Sequence, residues 1–164
     1  MKKTILWLSV ALLLACTPRT GRAFSWRTDL PEAAADARQD RKFLLLNFSG
    51  SDWCGWCKRL DAEVFSTTAF QDYAASDLVC VLADFPRSKE LDPALRSRNE
   101  RLMRHFRVEG FPSILLFSPD GELIDKLGYQ PGGPDAFIRA IQQARSRHLM
   151  RNPGLPPGPK LPPE

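Results

Sequence analysis

With only two histidines and four cysteines in 164 residues, this chain has little with which to build a metal or haem site, and their spacing excludes most such sites. Structural zinc needs four ligands, usually two CxxC pairs or one such pair with two histidines. Besides Cys54 and Cys57, only Cys80, His105 and His148 remain downstream, and no two of them are spaced as a pair. Covalent haem is excluded because Lys58 stands where its attachment motif requires histidine. The cysteines are also too few for a fold stapled by several disulfides. No apolar run is long enough to cross a bilayer comfortably. The formal charge is +4, but the basic residues are interleaved with acids, which argues against a nucleic-acid surface. No internal repeat or second domain is evident.

What is present begins with an export signal over residues 1–23. Lys2 and Lys3 make a positive start, Ile5 to Ala15 form a short apolar core without a polar face, and small or breaking residues follow. Two cuts compete. Leu13-Leu14-Ala15-Cys16 resembles a bacterial lipobox, which makes Cys16 a lipidation site and the first mature residue; Gly21-Arg22-Ala23 suits ordinary signal peptidase. The lipoprotein reading is favoured because Cys16 has no other evident purpose. Either way the expectation is an exported protein of the periplasm or cell envelope.

Residues 24–150 read as one domain. Leu30 to Arg41 is an alanine-rich helix with Pro31 in its first turn and Asp29 as its cap. Phe43 to Phe48 is an apolar run of strand length, as in a strand covered on both faces. The pattern turns helical from Cys54, breaks at Ser66 to Thr68 and resumes over Ala69 to Ala75. Leu78 to Phe85 is a second strand, in which Cys80 reads as a small buried hydrophobe. Asp92-Pro93 opens a helix running to about His105, with Leu95, Leu102, Met103 and Phe106 as its apolar stripe. Ser113 to Ser118 and Glu122 to Gly128 form a hairpin about the turn Pro119-Asp120-Gly121. Gly132-Gly133-Pro134 starts a last helix with Phe137, Ile138, Ile141 and Ala144 inward. Residues 151–164 form a Pro-rich tail, read as a flexible end. The order predicts an α/β fold: a mixed central sheet, one parallel pair and an antiparallel edge, with helices on both faces.

The chemistry lies in Trp53-Cys54-Gly55-Trp56-Cys57-Lys58, placed between a buried strand and a helix, with Gly110-Phe111-Pro112 ahead of a later strand. These two motifs, in this order and setting, resemble the active site and cis-proline loop of the thioredoxin superfamily over about residues 24–148. The stretch Phe48 to Trp53 is similar to an exported bacterial subgroup related to the soluble domain of the membrane disulfide reductase. The resemblance implies a thioredoxin fold and thiol–disulfide exchange without a cofactor. Two intervening residues let the sulfurs meet at a helix's first turn. Cys54, at the positive end of the helix, is the expected nucleophile; Cys57, further in, is expected to be more buried and to resolve the mixed disulfide.

By the same resemblance, the Phe111–Pro112 bond is expected to be cis, leaving backbone groups of Phe111 to pair with an extended substrate. Trp53 and Trp56 read as an apolar rim on which a polypeptide rests. One departure matters: where typical relatives carry a buried aspartate on the preceding strand, the nearest residue here is Asn47, which cannot accept a proton. Asp61, Glu63 and Asp84 are weak substitutes that read better as surface acids. Lys58, and the arginines at 96, 98, 101, 104 and 107, read as solvated charge. The expected function is a monomeric protein-disulfide reductase acting on protein thiols and disulfides, supplied by an envelope electron donor and, on the lipobox reading, anchored by a lipid at Cys16. A disulfide isomerase or oxidant, and a non-catalytic binding or copper-carrying module, are the alternatives.

Overall fold

The computed structural model describes residues 23–151 and 160–162. The signal segment, Cys16 and most of the Pro-rich tail therefore lie outside the described residues.

Helix α1 spans Leu30–Asp40; its N-cap Asp29 accepts a hydrogen bond from the Glu32 N–H at 3.0 Å, and Arg41 ends it in the left-handed region. Strand β1, Phe43–Ser49, is buried at every position because the sheet is covered on both faces. Helix α2, Gly55–Leu60, continues into a π-helical turn, Asp61–Phe65, before α3, Thr68–Asp77, which is capped by Thr67. Strand β2, Leu78–Asp84, α4, Pro93–His105, the hairpin β3, Ser113–Phe117, and β4, Leu123–Leu127, and finally α5, Gly133–Leu149, complete the order.

The sheet runs β2-β1-β3-β4, with β1 and β2 parallel and the other pairs antiparallel. Strand alternation divides the core. Leu45 and Phe43 face Leu60, Val64, Phe70 and Phe137 of α2, its π-helical extension, α3 and α5. Leu44, Leu46 and Phe48 face Ala33 and Ala37 of α1 and Leu102 of α4. This is the mixed, doubly covered thioredoxin fold that the element order implies. β1 is an inner strand paired on both sides, by β2 and β3, and the chain leaving it enters the cysteine motif directly.

Four features were not legible in the sequence. Arg27 pairs with the outer edge of β2, through Arg27 N–H to Cys80 O at 2.9 Å and Leu82 N–H to Arg27 O at 2.8 Å. Asn99, inside the α4 stripe, is 2% exposed because its amide donates to the Asp84 carbonyl at 3.0 Å. In the tail, Leu161 packs beside the α1–α4 core cluster and donates to Gly121 O at 3.0 Å. Among the α4 arginines, Arg98 is drawn onto Asp29 at 3.0 Å and onto the Thr28 carbonyl, so it ties α4 to the start of α1.

Candidate functional site

Cys54 is the N-cap of α2 and is joined to Cys57 by a disulfide with a Cα–Cα distance of 5.2 Å. The motif is held from both sides: Cys54 N–H donates to Gly50 O at 2.8 Å, and Lys58 N–H donates to Cys54 O at 3.1 Å. The Cys57 N–H points at Cys54 Sγ, 3.2 Å away. A helix-terminal N–H aimed at this sulfur favours its thiolate once the disulfide opens. The two cysteines are nearly equally buried, with Cys54 6% and Cys57 5% exposed. The expected contrast between an open and a buried sulfur is therefore absent in the disulfide form, where each sulfur shields the other.

The loop before Cys54 is fastened to the end of β2. The Asp84 carboxylate accepts from Ser51 N–H at 2.9 Å and from Ser51 Oγ at 2.6 Å. Next to it, the Asp52 carboxylate accepts from the N–H groups of Arg87 and Ser88, which hold it below the usual carboxylate range.

Both tryptophans are exposed, Trp53 at 37% and Trp56 at 55%. Trp53 donates its indole N–H to Phe85 O at 2.7 Å, lies against Phe111 at 5.9 Å and is covered by the Arg87 guanidinium at 3.8 Å. Phe111 also stacks on Phe85 at 5.1 Å, so the Phe111–Pro112 loop, whose peptide bond is cis, is brought beside the cysteine motif. On the other side, Trp56 packs against Tyr129 at 5.0 Å, with Arg59 over both rings. Glu63 accepts from Arg59 at 2.7 Å and from the Tyr129 hydroxyl at 2.8 Å; those two bonds lower its pKa, while the bond to Glu63 raises that of Tyr129.

The three acids considered as proton acceptors are engaged elsewhere. Asp61 is exposed and accepts from Ser66 Oγ, Glu63 serves Arg59 and Tyr129, and Asp84 serves Ser51. Asn47 is 5% exposed with no hydrogen-bond partner for its Oδ1 among the described residues, and strand alternation sets it on the β1 face that α2 covers. Cys80 is a free thiol whose burial pushes its pKa well up, which suits a packing role. Sequence reasoning missed Phe85, Arg87, Arg59 and Tyr129. Only the position of Tyr129 just after the last strand hinted at a place near the rim.

Residues 30–145 match the family model described as a thioredoxin-like domain. The chain belongs to the thioredoxin-like family. It is 31% identical over 113 residues to the disulfide bond reductase DsbH of Chlamydia pneumoniae, an alignment covering 69% of this chain and 68% of that one. It is 28% identical over 124 residues to the thioredoxin-related protein DsbJ of the same organism, covering 76% of this chain but 36% of the relative. A solved DsbH oxidoreductase structure superposes with a TM-score of 0.71 at 28% identity, over 87% of this chain and 96% of that one. Within the thioredoxin-like family, these relatives and the CxxC-spaced disulfide place the chain among the thiol–disulfide oxidoreductases.

Proposed function

We propose that this thioredoxin-like protein is a protein-disulfide reductase of the cell envelope. The observation that carries the reading is the Cys54–Cys57 disulfide at the start of α2, with the Cys57 N–H directed at Cys54 Sγ. In the dithiol form, the Cys54 thiolate attacks a substrate disulfide; one substrate sulfur leaves as a thiolate and takes up a proton, and the other stays bound to Cys54. Cys57 then loses its proton and attacks Cys54, which closes the disulfide seen here and releases the second substrate thiol. Two electrons pass to the substrate, and an envelope electron donor returns them; the cycle uses no cofactor.

Trp53, Trp56, Phe111 and Pro112 form the substrate rim in this reading, with the Phe111 backbone pairing with an extended polypeptide. The name of the Chlamydia pneumoniae relative, a disulfide bond reductase, supports the reducing direction. Export and lipidation at Cys16 are part of the same proposal; no helix among the described residues is long and apolar enough to cross a membrane. Mass spectrometry of the mature N-terminus distinguishes a lipidated Cys16 from a free Phe24. The direct test of activity is reduction of insulin disulfides. The wild type is expected to reduce them, Cys54→Ser to be inactive, and Cys57→Ser to accumulate the mixed disulfide; reduction that survives Cys54→Ser overturns the proposal.

A further inference from the structure

The two sides of the cysteine motif are built from the same parts with one part missing. On one side Arg59 lies over Trp56 and Tyr129, and its charge is met by Glu63 at 2.7 Å. On the other, Arg87 lies over Trp53 at 3.8 Å, is exposed, and forms no ion pair with any described residue. The Asp52 carboxylate, although it meets the Arg87 backbone, is committed to the N–H groups of Arg87 and Ser88 rather than to the guanidinium. Trp53 is itself immobilised by Phe85 O and Phe111, so the guanidinium rests on a fixed plate beside Cys54. A guanidinium stacked on an aromatic face keeps its N–H edge free, and that edge matches a carboxylate in two-point geometry.

Resting on the disulfide-reductase reading above, we infer that the substrate supplies the missing carboxylate: Arg87 is a specificity residue that selects polypeptides carrying an acidic side chain next to the cysteine that Cys54 attacks. Asp52 and Glu63 balance much of the basic charge around the site, so the selection comes from this one guanidinium and not from a long-range field. It acts on KM more than on kcat, because the contact is equally present before and during sulfur attack.

The test uses peptides with one intramolecular disulfide, identical except for Glu, Gln or Lys beside the attacked cysteine. For the wild type, kcat/KM for the Glu peptide is expected to exceed that for the Gln peptide about fivefold, the upper end for one exposed charge pair. The advantage should shrink as salt rises from about 0.05 M to about 0.5 M. Arg87→Gln should bring the ratio to about one, and Arg87→Glu should invert it in favour of the Lys peptide, whatever the variant's overall rate. Equal ratios in wild type and Arg87→Glu, with all three peptides reduced, overturn the role of Arg87 and leave the reductase reading standing. If the wild type reduces neither these peptides nor insulin, the reductase reading itself falls and this inference falls with it.

Discussion

Replacing Asp84 by alanine removes the fastening between the end of β2 and the loop that presents Cys54. The carboxylate accepts three hydrogen bonds, from Ser51 N–H at 2.9 Å, Ser51 Oγ at 2.6 Å and Phe85 N–H at 3.0 Å. Phe85 N–H keeps a second acceptor, Ser49 O at 2.8 Å, so only the two Ser51 bonds are lost outright. A hydrogen bond to a charged group is worth about 1.5 to 3 kcal/mol. Asp84 is partly exposed, and water replaces some of what is lost, so the lower end applies and the total is about 2 to 3 kcal/mol. With a urea slope of about 2 kcal/mol/M, the unfolding midpoint should fall by about 1 to 1.5 M. Ser51→Ala, which removes the hydroxyl bond alone, should cost about half as much, and Asp84→Asn should fall between wild type and alanine. The Asp84→Ala enzyme should also reduce insulin more slowly, because the Gly50–Cys54 turn starts one residue before Ser51. An unchanged midpoint in Asp84→Ala, or a Ser51→Ala cost that simply adds to it, refutes the reasoning, since the two changes share one interaction.

Gly50→Ala places a methyl group 2.7 Å from the Trp53 indole nitrogen, so the ring must leave its Phe85 acceptor; Trp53 fluorescence should shift to longer wavelength and insulin reduction should slow, while an unchanged spectrum contradicts the packing described. Cys80→Ser buries a hydroxyl at a 4% exposed position and should cost about 1 to 3 kcal/mol in urea unfolding with kcat/KM retained, whereas a loss of reductase activity at full stability would give Cys80 a redox role. Asn47→Asp puts a carboxyl group on a buried face, so its folded pKa is raised above the unfolded value of about 3.9. The folded state then holds the extra proton, and the variant's stability relative to wild type should fall as pH rises from about 4 through that raised value; urea midpoints at pH 4 and pH 8 that track the wild type refute it.

Most of the scaffold was readable because its signals are local. Asp29 and Thr67 cap helices through residues three positions away, Pro93 starts α4, and the nearly unbroken apolar run of β1, interrupted by Asn47, betrays a strand covered on both faces. The cysteine spacing is local too, so the pair that closes the disulfide is identifiable from the sequence. What escaped depends on partners far along the chain. Tyr129 meets Glu63 across 66 positions, Asp52 holds Arg87 and Ser88 across 35 and 36, and Asn99 is buried only because a strand-end carbonyl needs a donor. Charged residues such as Arg59, Arg87 and Arg98 look alike in sequence, and only the fold separates a neutralised stack, an unneutralised one and an interhelical tie. The π-helical turn after α2 has no pattern that differs from an ordinary helix, since it displaces hydrogen bonds without changing residue type.

The measurement that bears most directly on the account is the equilibrium reduction potential of the Cys54–Cys57 pair, read by alkylation and mass spectrometry in graded thiol–disulfide buffers. A reductase of this family should poise below about −200 mV, toward the thioredoxin value of about −270 mV. A value near the −120 mV or so of strong exported oxidants would contradict the reducing direction and assign the same two cysteines to disulfide formation.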